Sequence, residues 1–268
     1  MTISEWLQHA SQSIARSDAE LLMLHFIFPG ADRSYLIAHD QDVFLPNPKL
    51  DIALAKRAEG CPLAYLVGSR EFYGRDFIVE EGKTLIPRPE TENIIEFCLD
   101  IADHEAKPLK IIDVGTGSGC VAITLALEIP NAEVTALDIS TDALKIAQQN
   151  ATKLGAKLNF QQSNLMQNYD GPAPDIIVAN LPYVDKEWDW LDKNSLGYEP
   201  DLALYAENHG LELIYQLIEY FVASPEHGKY LILEADPSQH RAIITFAAVR
   251  KLELTRQRDF IIQFTRNA

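Results

Sequence analysis

Ile111-Ile112-Asp113-Val114-Gly115-Thr116-Gly117-Ser118-Gly119-Cys120 is the stretch that decides the fold. A short apolar run meets a glycine-rich turn, and the turn runs into the apolar segment Val121 to Leu127. That order reads as buried strand, tight loop and helix. Gly115, Gly117 and Gly119 free the backbone and let a ligand approach it closely. The following helix aims its unpaired N–H groups at whatever binds there. About 20 residues on, the apolar strand Val134-Thr135-Ala136-Leu137 ends in Asp138, and an acidic side chain at that spacing suits two ribose hydroxyls. The spacing G-x-G-x-G differs from the G-x-G-x-x-G of dinucleotide-binding loops, so the loop alone indicates a nucleotide-type turn in an α/β protein.

The rest of the chain agrees with an α/β reading. From Lys110 onward, strand signals at 110–114, 134–138, 158–161, 175–179 and 229–235 are interleaved with helix signals at 119–128, 141–153 and 210–223. Such alternation predicts a mainly parallel sheet covered on both faces. Leu252 to Thr255 and Phe260 to Thr265 read as an antiparallel pair at its edge. The acidic residues at 185–192 read as a solvated surface loop.

Residues 1 to about 70 have a helical texture. Ser4 is expected to cap a first helix, and Ser17-Asp18-Ala19-Glu20 has capping-box form ahead of Leu21 to Phe26. His25, inside that apolar run, is expected to be a hydrogen-bonded core histidine. Asp32 to His39 suggests a short helix, and Asn47-Pro48 starts another over Lys49 to Ala58, with Gly60 past its end. Glu71 to Val79 alternates around a glycine turn, as a β-hairpin does. Leu85 to Pro89 is extended by its prolines, and Thr91 to Leu99 is an amphipathic helix. These readings predict domains at 1–69 and 88–268 with a hairpin linker over 70–87.

Bulk properties exclude several function classes. The chain has 268 residues, enough for one or two domains with a real core. Its formal net charge of -16 counts against free DNA or RNA as substrate, because surfaces that track phosphate backbones are usually basic. Cys61, Cys98 and Cys120 form no CxxC pair and read as small buried residues in a reducing compartment. The seven histidines lack metal-ligand spacing, so no metal is expected. No signal peptide is legible, and Leu21 to Phe28 is too short to span a bilayer. The expected location is the cytoplasm, away from membranes.

The chemistry sits after the apolar strand Ile176 to Ala179, in Asn180-Leu181-Pro182-Tyr183. Ligands of open parallel sheets lie beyond the carboxyl ends of the strands, so this turn belongs at the same rim as the glycine loop. Asn180 offers an amide donor and a carbonyl acceptor. Pro182 stiffens the turn and keeps Leu181 extended. Tyr183 presents a flat ring. Together they can hold a planar –NH2, with the Asn180 side-chain carbonyl and the Leu181 backbone carbonyl accepting its two hydrogens.

Asp113-Val114-Gly115-Thr116-Gly117-Ser118-Gly119 resembles motif I of S-adenosylmethionine (SAM) methyltransferases. The wider chain resembles the protein-(glutamine-N5) methyltransferases of peptide chain release factors, the HemK or PrmC family. The resemblance runs through Pro62 to Gly68, Glu71-Phe72-Tyr73-Gly74 with Phe77, and Leu85-Ile86-Pro87-Arg88-Pro89-Glu90-Thr91-Glu92. It continues through Tyr198-Glu199-Pro200 and Leu233-Glu234 with Gln239. It implies a Rossmann-like, seven-stranded α/β methyltransferase domain with an antiparallel final strand. A small all-α substrate-recognition domain and a hairpin linker would precede it.

The cofactor so implied is S-adenosyl-L-methionine, held by Gly115, Thr116, Gly117, Ser118 and Gly119, with Asp138 on the ribose. Asn164 and Leu165 would flank the adenine. Asn180, Leu181, Pro182 and Tyr183 would form the catalytic and substrate clamp, with Asn180 also meeting the cofactor. Pro87 to Glu92 would wall the site, with Arg88 and Glu90 on the substrate. The implied substrate is the Gly-Gly-Gln glutamine of release factors, and the protein is expected to act as a monomer without free nucleic acid. The sequence departs from the family at Leu181, where the usual turn is Asn-Pro-Pro-Tyr, and at Leu165, where an aromatic residue is frequent. Asn-Leu-Pro-Tyr also resembles the turn of rRNA adenine dimethyltransferases. An adenine-N6 or rRNA methyltransferase, a glutamine methyltransferase of a ribosomal protein and a non-catalytic SAM binder therefore stand as alternatives. Acidity and the Ile86 to Glu92 segment count against RNA, and the intact amine clamp counts against a pure binder.

Overall fold

Capping chemistry decides where the N-terminal helices begin. α1 (Ile3–Ala10) is capped by Thr2, whose Oγ1 accepts from the Glu5 N–H at 3.1 Å while the Glu5 carboxylate accepts from the Thr2 N–H at 2.8 Å. The expected cap, Ser4, already lies inside the first turn. α2 (Arg16–Phe26) starts without a side-chain cap. The Ser17 to Glu20 box is not used, because the helix starts at Arg16 and Ser17 already lies inside the first turn; Glu20 accepts from Arg16 Nε at 2.9 Å and Asp18 from Arg57 Nε at 2.8 Å. α3 (Arg33–Ala38), expected as a short helix, is capped by Asp32, and α4 (Pro48–Ala58) starts as expected at Asn47 with proline at its first position. The short α5 (Leu63–Val67) follows, an element the sequence pattern did not indicate.

Ala19, Leu22 and Met23 of α2 join Ile3, Trp6, Leu7, Leu36 and Leu50 in one apolar core. His25 falls off that stripe. It is exposed, with its ring edge-on to Phe26, and is not the core histidine expected. The structure, a computed structural model, describes residues 1–189, 191, 193–223 and 225–266. It divides the chain into two compact units, Met1–Ser69 with Asp192–Tyr198, and Arg70–Leu191 with Glu199–Ala268.

β1 (Ser69–Phe72) and β2 (Arg75–Ile78) form the hairpin, turning through Tyr73 at φ 51° and Gly74 at φ 72°. Two left-handed residues in a row give the turn the twist that paired strands need. Leu85 to Pro89 leads to α6 (Glu92–His104). Then come β3 (Lys110–Val114), α7 (Cys120–Glu128), β4 (Glu133–Asp138), α8 (Thr141–Leu154), β5 (Asn159–Gln162) and β6 (Ile176–Ala179). α9 (Lys193–Leu196) belongs to the helical unit. α10 (Asp201–Leu204), α11 (Glu212–Ala223), β7 (Tyr230–Glu234), α12 (Pro237–Val249), β8 (Leu252–Arg258) and β9 (Ile261–Arg266) complete the chain.

The seven-stranded sheet has the order β5-β4-β3-β6-β7-β9-β8. Strands β3 to β7 pair in parallel, and β9 runs antiparallel to both β7 and β8. The last strand is thus an inner strand, and β8 takes the edge. α12 was absent from the sequence expectation, although Asp236, Pro237 and Gln239 spell a start signal and form a capping box. Alternate strand residues feed two cores. Ile111, Ile176, Val178 and Ile232 meet α6 and α7 residues such as Ile94, Phe97 and Ile123. Ile112, Val114, Ile177, Ala179 and Leu233 meet Leu217 and Phe221 of α11 and Ile243 of α12. Of the acidic stretch 185–192, Glu187 and Asp189 are exposed, and residues 190 and 192 lie outside the described residues.

Candidate active site

Sheet register places the two loops of interest side by side. β3 and β6 are neighbours, and their last paired residues are Val114 and Ala179. Gly115 and Asn180 therefore leave adjacent strand ends together. The chain turns one way from β3 to β4 and β5 and the other way from β6 to β7, so this is the crevice where open α/β sheets bind ligands. A cavity of ≈ 340 Å³ lies there, within the size range of small-molecule pockets. Gly115 to Ser118, Asp138, Asn164, Leu165, Asn180, Leu181, Pro182 and Arg88 all line it.

The glycine loop is made almost entirely by backbone. Gly115 and Thr116 N–H groups both donate to the Leu137 carbonyl, at 2.8 and 2.9 Å, which ties the loop to the end of β4. All three glycines have positive φ, but they differ in surroundings. A Cβ at Gly119 would lie 2.8 Å from Ile123 Cδ1 and 3.0 Å from Ala147 Cβ, so this glycine permits close packing beneath the loop. A Cβ at Gly117 would meet nothing within 4 Å, so its bare backbone borders open space that a ligand can fill. Thr116 donates its hydroxyl to Asp113 Oδ2 at 2.6 Å, and Ser118 is buried, so both side chains brace the loop from within. Burial raises the Asp113 carboxyl to about 7, against the pull of Thr116 and the Ala122 N–H.

Asp138 Oδ2 accepts from Gly117 N and Oδ1 from Ser140 N, each at 2.8 Å. A carboxylate has lone pairs beyond these two, so it can still accept from a diol. Burial raises its pKa and the backbone donors oppose that shift. Asn164 is exposed at the rim, and Leu165 is half-buried with a left-handed φ of 49°. The open Gly117 backbone, the buried acceptor at Asp138 and the cavity between them fit a nucleoside-bearing ligand such as SAM.

The turn after β6 is held by side chains from far away in sequence. Asn180 Nδ2 donates to Thr91 Oγ1 at 3.1 Å, and Thr91 Oγ1 donates to Glu234 Oε2 at 2.6 Å. Tyr183 donates its hydroxyl to Glu234 Oε1 at 3.2 Å, while its backbone carbonyl accepts from Gln239 Nε2 at 2.8 Å. Burial pushes the Glu234 carboxyl up to about 7, and the Thr91 and Tyr183 hydroxyls pull it back. Burial and the neighbouring Glu234 raise the Tyr183 phenol. Tyr183 does not line the cavity, unlike the rest of its turn. Leu181 is buried, and a Cβ at Gly115 would lie 3.1 Å from its Cδ2, so the two loops touch.

Arg88 lines the cavity but is held in place. Its guanidinium pairs with Glu199, which is 4% exposed, and donates to the Ile86 carbonyl at 3.0 Å; Glu199 also accepts from the Ile86 N–H at 3.0 Å. Glu90 is exposed and lies outside the cavity lining. Thr91 lies in the Pro87 to Glu92 segment expected to wall the site and lines the cavity, but no role was expected for it, and Glu234 was not among the expected site residues. The signal for Glu234 was present, because it is the acidic end of the apolar strand Tyr230 to Leu233 at the same rim. Elsewhere, Asp185, Glu187 and His209 bring ligand-type atoms within 4.8 Å of one another, a grouping that sequence spacing does not reveal. The Asp185–His209 pair at 2.8 Å and the Glu187 N–H donated to Asp185 already satisfy Asp185, and the group reads as the closure of a surface turn.

The sequence matches two family models, the PrmC N-terminal domain over residues 2–68 and the Methyltransferase small domain over residues 98–191. It is 39% identical over 240 residues to the release factor glutamine methyltransferase of Koribacter versatilis, covering 86% of this chain and 84% of that protein. It is 34% identical over 251 residues to the release factor glutamine methyltransferase of Escherichia coli, covering 91% and 89%. Among solved structures, the 16S rRNA N2 G1207 methyltransferase of T. thermophilus, in complex with AdoMet and guanosine, superposes with a TM-score of 0.52 at 15% identity. That match covers 75% of this chain and 50% of the other and concerns the fold.

Proposed function

The chain belongs to the family of release factor glutamine methyltransferases and is a SAM-dependent methyltransferase, and from that premise we propose that it methylates the side-chain nitrogen (N5) of the glutamine in the Gly-Gly-Gln motif of peptide chain release factors. The observation that carries this reading is the juxtaposition of Gly115 and Asn180 at paired strand ends, facing one cavity. One loop suits the methyl donor and the other suits a carboxamide.

The Gly115 to Gly119 backbone cradles the methionine end of SAM, Asp138 accepts from the ribose, and Asn164 and Leu165 run along the adenine. Bound SAM supplies an electrophilic sulfonium methyl. An amide nitrogen is a poor nucleophile because its lone pair is delocalised. With the Asn180 amide nitrogen given to Thr91, its carbonyl oxygen is the end left for substrate. That oxygen and the Leu181 carbonyl accept the two hydrogens of the glutamine –NH2 and leave the lone pair directed at the methyl group. Accepting those hydrogens favours pyramidal nitrogen and stabilises the positive charge that grows on it, an interaction strongest in the transition state. Alignment supplies much of the remaining rate. Pro182 stiffens the clamp, the ring of Tyr183 backs it, and the released proton passes to water.

Residues 1–69 are assigned to recognition of the release factor, 70–87 to the linker and 88–268 to catalysis, with Arg88 and Glu90 toward the substrate. The protein acts as a monomer in the cytoplasm. Among the described residues, no helix is long and apolar enough to cross a membrane. Incubation with labelled SAM and, in turn, release factor, ribosomes and RNA tests this reading. Label on the release-factor glutamine is expected, and label in RNA alone overturns it.

A further inference from the structure

Asn180 can do its work only if its amide is the right way round. Its two ends are nearly the same size, so shape alone does not choose between them. With the oxygen toward the substrate it accepts an N–H; with the nitrogen there it confronts the substrate –NH2 donor to donor. Something behind Asn180 must choose.

The choice is made by a chain of three residues. Thr91 is 2% exposed and Glu234 is 2% exposed, so water does not supply alternative partners. Glu234 Oε2 takes the Thr91 hydroxyl at 2.6 Å, and Glu234 Oε1 takes the Tyr183 hydroxyl at 3.2 Å. Glu234 Oε2 accepts as long as it carries no proton of its own, and a threonine hydroxyl has a single hydrogen. Once that hydrogen is committed to Glu234, Thr91 can only accept on its other side. Asn180 must then present its nitrogen, as it does at 3.1 Å. The carbonyl oxygen is left at the opposite end of the amide.

We propose that Glu234 is a positioning residue for methyl transfer, setting through Thr91 the direction of the hydrogen bonds that keep the Asn180 carbonyl oxygen toward the substrate amide. The proposal rests on the glutamine-methylating reading above and extends it to two residues that touch neither reacting atom. Sheet geometry makes it possible. Glu234 follows the same face of β7 as Ile232, the face that α6 and its leading turn cover, and Thr91 sits in that turn.

Glu234→Leu removes the acceptor and frees the Thr91 hydrogen for the Asn180 oxygen, which turns the amide around. Thr91→Val breaks the chain in the middle at equal size. Each is expected to lower kcat on release factor roughly 10²-fold, the scale of one misplaced active-site hydrogen bond. SAM affinity by calorimetry is expected to stay within about twofold, since neither side chain is assigned to the cofactor. The double variant is expected to be no worse than either single one, because both cut one chain. Glu234→Gln, with its amide oxygen toward Thr91 and its nitrogen donating to the Tyr183 oxygen, and Thr91→Ser keep an acceptor and a hydroxyl in place and are expected to recover most of the lost rate. In NMR spectra, the Asn180 side-chain amide, assigned by its loss in Asn180→Asp, is expected to be protected from exchange in the wild type and in both conservative variants, and unprotected in Thr91→Val. Full activity of Glu234→Leu, parallel loss of SAM binding, or additive losses would overturn the proposal. An Asn180 amide unprotected in a wild type active on release factor overturns it alone. A protected amide in a wild type that labels only RNA keeps the relay and overturns the substrate assignment instead.

Discussion

The glycine loop after β3 and the asparagine turn after β6 leave neighbouring strand ends, yet they are built on different plans. The loop is a backbone device. Its conformation follows from three left-handed glycines and two N–H bonds to Leu137, and its buried Thr116 and Ser118 brace it locally. The turn is a side-chain device. Asn180 depends on Thr91, 89 residues earlier, and through it on Glu234, which lies 143 residues beyond Thr91. A site that binds with main chain can be written in one short stretch. A site that must orient a single amide needs partners brought in by the sheet.

The sharpest way to test that contrast is Asn180→Ala. Transfer to release factor is expected to fall at least about 10²- to 10³-fold while calorimetry finds SAM affinity largely intact. Equal loss of both would mean the two loops are not separate devices. Next in size is Arg88→Ala, which strands the buried Glu199 carboxylate. Urea denaturation is expected to show a loss of about 3 kcal/mol, because a buried charge is left unpaired. An unchanged midpoint with a raised KM for release factor would show instead that Arg88 is held ready for substrate.

Within the glycine loop, Gly119→Ala and Gly117→Ala separate packing from binding. Gly119→Ala meets Ile123 and Ala147 and is expected to cost about 2 kcal/mol of stability. Gly117→Ala meets nothing, so its stability loss is expected to be about 1 kcal/mol, from the left-handed backbone, while SAM affinity falls. The reverse ranking of stability in thermal melts would reverse these roles.

An effect of comparable size is expected from pH. The Glu234 carboxyl is raised to about 7 in the fold, in a setting that also includes Arg88, Glu90 and the Tyr183 hydroxyl. A raised native pKa means the native state holds the proton more tightly than the unfolded chain. That contribution is complete below the ordinary glutamate value and is lost as pH rises through about 7. Between pH 5 and 8 the wild type is expected to lose about 1–3 kcal/mol that Glu234→Gln does not lose. Equal slopes for the two proteins in chemical denaturation would show that Glu234 is not buried as a titrating group. Smallest of all is Leu181→Pro, which restores the family's usual residue and keeps the backbone carbonyl. Stability is expected to change by less than about 1 kcal/mol, with kcat nearly unchanged. A large fall in kcat would mean that the Leu181 contact with Gly115 couples the two loops.

The amino-acid sequence by itself determined the strand–loop–helix after Lys110, the parallel sheet, the hairpin at Tyr73-Gly74 and the shared rim of the two loops. These follow from apolar period and from glycine and proline placement, which act over a few residues. Tertiary structure decided the rest. Thr2 outcompeted Ser4 as a cap, Ser17 fell inside its helix while Asp18 paired with Arg57, and His25 fell outside the core stripe of its helix. Arg88 was drawn to Glu199, and the support of Asn180 was drawn from Thr91 and Glu234. The Asp18, Arg88 and Asn180 partnerships turn on which distant polar group arrives within hydrogen-bonding reach. Local pattern carries no record of that, because the partners are chosen only when the layers pack.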